Sequence, residues 1–341
     1  MIPIKNIYYM LSYVFKILNQ EGYKKISTEK FDNVFELLSS ILCKGISIQI
    51  KRGLNSEYIL HDDTISNIRG KIDISKSIKN KSIIKKKLVC VYDEFSINSY
   101  LNRIIKTTIN LLIYSDISDI RKKELRKLLF YFKDVEILNI NYINWNINYN
   151  RNNKTYEMLI YICYMIIKSF LHNTSDEKFK IIDFFDEEYM WKIYEKFIFE
   201  YYRKEHKQLK VTSSQIPWNL DNEKSEFLPK MKSDVMLYYN NKTLIIDTKY
   251  YSHIFQNNYN VNTINSSNLY QIYTYVKNLD KYNTGHVSGL ILYAKTDDTI
   301  FPNNEYKMGG NRIYVNTLDL NCDFKDIRFQ LDEIVFKNFN L

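Results

Sequence analysis

Two aspartates and a lysine in the C-terminal half of the chain have the residue types and spacing of a metal-dependent phosphodiesterase site. Asp234 is followed thirteen positions later by Asp247, and Lys249 comes two residues after that. Carboxylates suit Mg²⁺, which keeps several waters and binds through one or two carboxylates together with phosphate. The metal ion would polarise a scissile phosphate and lower the pKa of a bound water. Lys249 would orient or deprotonate that water, or offset charge in the transition state.

These residues are predicted to lie on a β-hairpin. The segments on either side of Asn240-Asn241 are rich in β-branched and aromatic side chains, which favour strands. The two asparagines can adopt the positive φ angles of a two-residue turn. With that turn, Asp234 faces Asp247 at a Cβ separation of about 4.5–5.5 Å. Lys249 then points to the same face as Asp247.

An ordinary surface hairpin, whose acids and lysine form simple ion pairs, is the alternative interpretation. An acid followed two residues later by lysine is common by chance. The apolar run Leu244-Ile245-Ile246 directly before Asp247, however, predicts a buried strand. A bare acid pair at the end of such a strand is costly unless a cation is present, and this cost favours the metal site.

Composition indicates a globular protein with an excess of positive charge. The chain has 341 residues, enough for about two domains, and is 45% hydrophobic and 26% charged. Its formal net charge of +9 suits a polyanionic partner. The four cysteines are scattered without a C-x-x-C pair, so neither zinc nor a disulfide framework is expected. We recognise no secretory signal, membrane span or G-x-x-x-x-G-K-[ST] motif, and therefore expect a cytoplasmic chain without a membrane partner or a Walker-type nucleotide site.

Hydrophobic periodicity predicts two domains, residues 1–160 and 161–341. The first is expected to be mixed α+β, with helices at 4–18, 31–44, 97–115 and 118–133 and strands at 46–51 and 57–60. A helix at 155–172 lies near the boundary. The second is expected to be α/β, with a helix at 187–204, a strand at 208–213, the hairpin, a helix at 266–280, a strand at 288–294 and a helix at 325–338. This order predicts a central mixed sheet flanked by helices, with the acids on its second and third strands.

The first domain also carries two basic stretches. Seven lysines lie between residues 71 and 87, and a cluster of lysines and arginines lies between residues 121 and 127. The first stretch could follow a phosphate backbone, and a solvated loop is the equally good alternative. The second is interpreted as the exposed face of a helix.

Several motifs resemble those of known nucleases. The hairpin resembles the PD-(D/E)xK signature of restriction-endonuclease-like folds, with Asp247 in the D/E position, Lys249 as the lysine, and Ser233 where the signature has proline before Asp234. Other segments look like the McrC family, the endonuclease subunits of McrBC modified-cytosine restriction systems. They are Pro3-Ile4-Lys5-Asn6-Ile7-Tyr8-Tyr9-Met10-Leu11, Lys44-Gly45, Arg52-Gly53-Leu54, Arg69-Gly70-Lys71-Ile72, Asn102-Arg103-Ile104-Ile105-Lys106, Leu228-Pro229-x-Met231 and Asn268-Leu269-Tyr270-Gln271. The resemblance runs nearly end to end, in order.

The resemblance implies a division of labour between two proteins. A separate McrB-like AAA+ GTPase hexamer would bind double-stranded DNA carrying modified cytosine and move along it. The present chain would dock on that ring through residues 1–160 and stimulate GTP hydrolysis. Residues 161–341 would cut DNA with Mg²⁺ held by Asp234 and Asp247, while GTP would be bound by the partner. The missing Walker motif is consistent with a motor supplied in trans.

Gln271 is a further candidate for the catalytic site. It lies four residues before Tyr275, so the two side chains share a helix face. In many nucleases of the resembling fold, a glutamine on this helix approaches the active site and helps to hold water or phosphate. The alternative is an amphipathic helix in which Tyr270, Tyr273 and Val276 form the core and Gln271 is incidental.

Two other side chains are weaker candidates. Glu195, in the helix before the strands, could reach the metal ion, but an exposed glutamate beside neighbouring lysines is expected instead. His253 comes just after the motif strand and is not expected to be catalytic.

The leading hypothesis is therefore a Mg²⁺-dependent DNA endonuclease subunit controlled by a GTPase partner. A non-catalytic regulator or scaffold, which uses the fold only to activate the partner GTPase, is one alternative. A stand-alone DNA nuclease is the other.

Overall fold

A computed structural model describes residues 2–20, 23, 26, 28–151, 153–172, 187–221, 226–251, 255–258, 261–295 and 301–341. The chain divides into two compact units, one formed by residues 1–29 together with 184–341 and the other by residues 30–183. None of the helices in the described residues is long and apolar enough to cross a membrane.

The helices and strands within the described residues are numbered in chain order. The α-helices are α1 (Ile4–Val14), α2 (Val34–Arg52), α3 (Ile74–Lys79), α4 (Tyr100–Ile113), α5 (Asp119–Leu129), α6 (Glu157–His172), α7 (Glu187–Glu205), α8 (Ser266–Leu279) and α9 (Phe324–Phe339). The strands are β1 (Glu57–Ile65), β2 (Lys71–Ile72), β3 (Leu88–Ser96), β4 (Lys210–Thr212), β5 (Gln215–Ile216), β6 (Met231–Lys232), β7 (Val235–Tyr239), β8 (Lys242–Lys249), β9 (Phe255–Asn258), β10 (Val261–Ile264), β11 (Val287–Ala294), β12 (Asn304–Met308) and β13 (Asn311–Leu318).

Residues 30–183 combine packed helices with a small antiparallel sheet. Helices α5 and α6 each pack on both α2 and α4, and the sheet has the strand order β1-β3-β2. The strand predicted at residues 46–51 is wrong, because α2 continues through it to Arg52. Ile46 and Gln49 are buried three positions apart on this helix, so tertiary burial at helical spacing overrides the β propensity of the alternating isoleucines.

The other unit is built on a six-stranded mixed sheet with the order β12-β13-β11-β8-β7-β4. Strands β8, β11 and β13 run parallel to one another, and the remaining neighbours are antiparallel. Helix α8 packs its buried residues Ile272 and Val276 against Ile245, Ile291 and Ile313 of the central strands. Helix α7 packs against β4, β7 and β8. The predicted mixed sheet flanked by helices is therefore present, with β12 and β13 as strands that the sequence interpretation lacked.

The first helix belongs to the same unit as this sheet. Helix α1 packs on α7, and Tyr13 donates a hydrogen bond to Glu205 at 2.9 Å. The Asn6 side chain donates to the backbone carbonyls of Leu320 and Cys322 at 2.9 and 2.8 Å. The predicted division at residues 160 and 161 therefore differs from the compact units. Periodicity identifies an amphipathic helix, but it does not tell which distant surface that helix covers.

Candidate active site

The β7–β8 hairpin has the register predicted from its turn. The two strands pair from Val235 opposite Ile246 down to the turn, and Asn240 has a φ of 51°. That left-handed conformation is the one a two-residue turn requires at its first position. Asn241 does not have a positive φ, so the expectation of positive φ at both asparagines is met at Asn240 only. Asp234 and Asp247 are the next residues beyond the last backbone pair, so they lie together at the end of the hairpin.

Asp234 is fixed by the neighbouring strand rather than by a backbone ladder. Its Oδ2 atom accepts hydrogen bonds from the backbone N–H and the hydroxyl of Thr248, at 2.7 and 2.8 Å. The residue before it, Ser233, donates its backbone N–H to Ser214 at 3.2 Å. The backbone of the chain therefore stops pairing with β8 at this point. The N–H of Thr248 donates to the Asp234 carboxylate instead of to a backbone carbonyl.

Asp247 is a buried carboxyl group with an unsatisfied oxygen. The residue is 1% exposed, since it ends the apolar run of β8. Its Oδ2 atom lies 2.8 Å from Lys249 Nζ, yet the angles are too poor for a hydrogen bond and the atom has no hydrogen-bond donor. Burial raises the pKa of Asp247 to about 6; repulsion from Asp234 adds to this shift, and Lys249 opposes it. Such a group is stabilised by a cation placed against it.

Lys249 is held between the acid and helix α8. Its ammonium lies 2.8 Å from Asp247 Oδ2 and donates a hydrogen bond to Gln271 Oε1 at 3.2 Å. Burial alone lowers the pKa of Lys249, but the adjacent Asp247 carboxylate outweighs burial and the net shift is upward. The side chain is therefore a cation at neutral pH, and this favours charge stabilisation and water orientation over deprotonation of the water.

Gln271 lies beside Lys249, at 3.2 Å from Oε1 to Nζ, as the resemblance to nucleases implies. Its Nε2 atom donates to the Tyr275 hydroxyl at 3.0 Å, so Oε1 is directed toward the lysine. The alternative core of α8 is wrong, because Tyr270 is 68% and Tyr273 is 36% exposed. Only Val276 of that set is buried, together with Ile272 and Tyr275. Helix α8 therefore presents its polar Gln271 to the site and its two other tyrosines to solvent.

Glu195 is not the exposed side chain that the sequence suggested. It lies on α7 and is half-buried. Burial raises the pKa of Glu195, and repulsion from Asp234 and Asp247 contributes while Lys232 and Lys196 oppose the shift. Electrostatic coupling to both aspartates places this carboxyl at the periphery of the same site.

Thr248 is a participant that no sequence pattern predicts. It occupies the variable position between the acid and the lysine, where no residue type is demanded, and it is fully buried. On the neighbouring strand β11, Tyr293 pairs with Lys249, and its buried hydroxyl accepts a hydrogen bond from the Asn268 side chain at 2.9 Å. His253 lies outside the described residues.

The donor set fits a cation that keeps its own water. Within the described part of the chain, no group of three or more His, Cys, Asp or Glu side chains is arranged to hold a metal ion. A closed zinc-type cage is thus absent there, whereas two carboxylates match the Mg²⁺ preference for few protein ligands. Fold and site together define a mixed α/β protein with an acid–acid–lysine cluster at the ends of adjacent strands.

The chain belongs to the McrBC 5-methylcytosine restriction system component family, whose model matches residues 5–294. It is 27% identical over 339 residues to the Escherichia coli K12 protein named type IV methyl-directed restriction enzyme EcoKMcrBC, an alignment that covers 98% of this chain and 97% of that protein.

Two solved structures from Thermococcus gammatolerans show weaker similarity. One, a half-complex of McrB AAA+ hexamers with bound McrC, has a TM-score of 0.48 and 15% identity, and the match covers 96% of this chain and 76% of that chain. The other, an McrBC complex, has a TM-score of 0.41 and 16% identity over 59% of this chain and 58% of that chain.

Proposed function

We propose that this chain is the nuclease subunit of a modification-dependent restriction complex, and that its site is of the PD-(D/E)xK type. On this proposal it hydrolyses DNA phosphodiester bonds with Mg²⁺ in the cytoplasm. A McrB-like AAA+ GTPase hexamer binds double-stranded DNA carrying modified cytosine, and the chain docks on that hexamer and stimulates its GTPase. Family membership supports the restriction role, and the name of the Escherichia coli relative supports methyl-directed DNA as the target.

The observation that carries the proposal is the unsatisfied Oδ2 atom of Asp247 at a 1% exposed position. A buried carboxylate without a hydrogen-bond donor is unfavourable unless a cation or a proton accompanies it. Lys249 compensates only in part, since its geometry toward that atom is poor for a hydrogen bond. Asp234 and Asp247 would hold the Mg²⁺ ion, and Glu195 lies near enough to repel them electrostatically.

Lys249, Gln271 and Tyr275 have distinct roles in the proposed reaction. Mg²⁺ supplies polarisation of the phosphate and a bound water of lowered pKa. The Lys249 ammonium has three N–H donors, and one of them is used on Gln271. The ammonium also forms an ion pair with Asp247 at 2.8 Å. An N–H that is not used on Gln271 would serve a water or a phosphate oxygen, where it would offset negative charge that develops in the transition state. Gln271 orients the Lys249 ammonium by accepting its hydrogen bond. The Gln271 side chain is itself held in place because its Nε2 atom donates to the Tyr275 hydroxyl.

The test is cleavage of methylcytosine-containing DNA by the reconstituted complex with Mg²⁺ and GTP. The Asp247→Asn variant should stimulate the partner GTPase as the wild type does and cut at least about a thousandfold more slowly, since it removes a metal ligand. Glu195→Gln should retain GTPase stimulation and show a smaller loss of cleavage. Asp323→Asn, at an exposed position before α9, is the matched control and should cut normally.

The alternatives give different results in the same assay. A wild-type complex that stimulates GTP hydrolysis but does not cut with any divalent cation would identify a non-catalytic regulator. Cutting by the purified chain without partner or GTP would identify a stand-alone nuclease. Normal cutting by Asp247→Asn would overturn the assigned site.

A further inference from the structure

The loop between β5 and β6 is anchored to the strand that leads to Asp234 and to helix α8. Strands β5 and β6 pair with each other and hold the two ends of the loop together. Within the loop, the Trp218 indole donates to the Pro229 carbonyl at 2.7 Å. The backbone N–H of Asn219 donates to the Asn278 side chain of α8 at 2.7 Å. Two residues after β6 the chain reaches Asp234. The base of the loop is therefore held by the strand that leads to an active-site acid and by the helix that borders the site.

Phe227 in this loop carries two unfavourable features at once. Its side chain is fully exposed, with a relative accessibility of 101%. Its φ is +66°, a left-handed conformation that is a genuine outlier for a bulky residue and that glycine adopts without strain. Neither feature contributes to packing. An apolar ring that is both exposed and strained, on an anchored loop, indicates a role outside the fold.

We propose that Phe227 is a DNA-contacting wedge, whose ring inserts beside the base pair next to the scissile phosphate. This inference rests on the proposed nuclease function, because DNA is the ligand only if the neighbouring site takes a phosphodiester. Proteins that bend or open duplex DNA insert apolar side chains at base steps, and an aromatic ring stacks on any base without sequence preference.

The charges of the loop agree with a contact to bases rather than to phosphates. Its described charged residues are Asp221, Glu226 and Lys230, a formal charge of −1 that Lys232 of the adjoining strand β6 offsets. A surface that binds the phosphate backbone would carry an excess of positive charge. The ring of Phe227 is thus the feature of the described loop that can attract DNA.

The experiment compares Phe227→Gly, Phe227→Ala and Phe227→Trp in the reconstituted complex with Mg²⁺, GTP and a DNA substrate that carries 2-aminopurine beside the cut position. Phe227→Gly relieves the backbone strain, so its melting temperature should rise. Its cleavage should nevertheless fall at least about tenfold, the size of one lost stacking contact, and the 2-aminopurine fluorescence increase should vanish. Phe227→Ala should lose cleavage without the gain in melting temperature, and Phe227→Trp should retain both cleavage and fluorescence change.

Phe329→Ala is the matched control, since that ring is 63% exposed on α9; it should cut as the wild type does. Wild-type cleavage by Phe227→Gly would overturn the inference while leaving the nuclease function intact. An equal loss of GTPase stimulation and of cleavage would also overturn it, because the ring would then contact the protein partner. A wild-type complex that cuts no DNA would overturn the nuclease function itself.

Discussion

The carboxylate of Asp234 is bound by Thr248, the residue that separates Asp247 from Lys249. Both the backbone N–H and the hydroxyl of Thr248 donate to Asp234 Oδ2, at 2.7 and 2.8 Å. One short segment of β8 therefore serves both acids. It carries Asp247, and through Thr248 it orients Asp234. On the proposed function, the other oxygen of Asp234 would contact the Mg²⁺ ion.

Thr248→Val should test this orientation, because it keeps the shape and the backbone N–H but removes the hydroxyl. A hydrogen bond to a charged group is worth about 1.5–3 kcal/mol, so we expect a comparable loss of unfolding free energy and a weaker apparent Mg²⁺ affinity in cleavage. Urea unfolding and Mg²⁺ titration of the cleavage rate measure the two effects. Thr248→Ser retains the hydroxyl but removes a buried methyl group, so it should lose about 1 kcal/mol of unfolding free energy and keep the wild-type Mg²⁺ affinity. An equal loss of Mg²⁺ affinity in both variants would contradict the assigned role.

Gln271→Met should lower the cleavage rate, since it removes the acceptor that directs the Lys249 ammonium. Loss of such a positioning contact typically costs about ten- to a hundredfold. Single-turnover cleavage at saturating DNA gives the rate free of binding effects. Tyr273→Phe on the solvent side of α8 is the control and should leave the rate unchanged. A normal rate in Gln271→Met would show that the glutamine is incidental, as the amphipathic-helix alternative held.

Mg²⁺ should stabilise the chain in a pH-dependent manner. Folding raises the pKa of Asp247 from 3.8 to about 6, so this group stabilises the metal-free fold fully below pH 3.8 and loses that contribution as the pH rises through about 6. Mg²⁺ binds only the ionised carboxylate. The rise in melting temperature caused by Mg²⁺ should therefore be large at pH 7.5 and small at pH 5. Melting curves with and without Mg²⁺ measure it, and a rise that persists in Asp247→Asn would contradict the site.

Asp280 should contribute to the stability of the fold in a pH-dependent manner. Its carboxylate accepts four hydrogen bonds, from the backbone and hydroxyl of Thr284, the Gly285 N–H and the Asn311 amide. Burial alone would raise the pKa of Asp280, but these bonds outweigh it and lower the pKa to about 2. Because the pKa is depressed, the stability is present above pH 3.8 and is lost as the pH falls through about 2.

Asp280→Asn should therefore lose about 2 kcal/mol of unfolding free energy at pH 7, and the gap to the wild type should narrow below pH 3.8 and close as the pH falls through about 2. Chemical denaturation across this pH range is the measurement. Asp221→Asn, at an exposed position, should show no pH-dependent difference. A constant gap at all pH values would mean that the side chain matters for shape rather than charge.

The sequence predicts local features of this protein better than distant ones. The Asn240 turn and the contact between Gln271 and Tyr275 depend on neighbours within a few residues, and both predictions are confirmed. The exposure of Glu195 was predicted wrongly, because it depends on which face of α7 meets the sheet. The packing of α1 on α7 joins residues nearly two hundred positions apart, and no local pattern specifies that partner.

The placement of α1 also determines how the unit that carries the candidate site can be isolated. Since residues 1–29 pack with 184–341, the unit of residues 30–183 is an insertion between two pieces of one body. A fragment that starts at residue 184 would expose the surface of α7 on which Tyr13 of α1 packs, at Phe197 and Tyr201, and it should aggregate. A fragment that folds should instead join residues 1–29 to residues 187–341 through a short linker. The inserted unit is thus connected to that body through two chain segments instead of one.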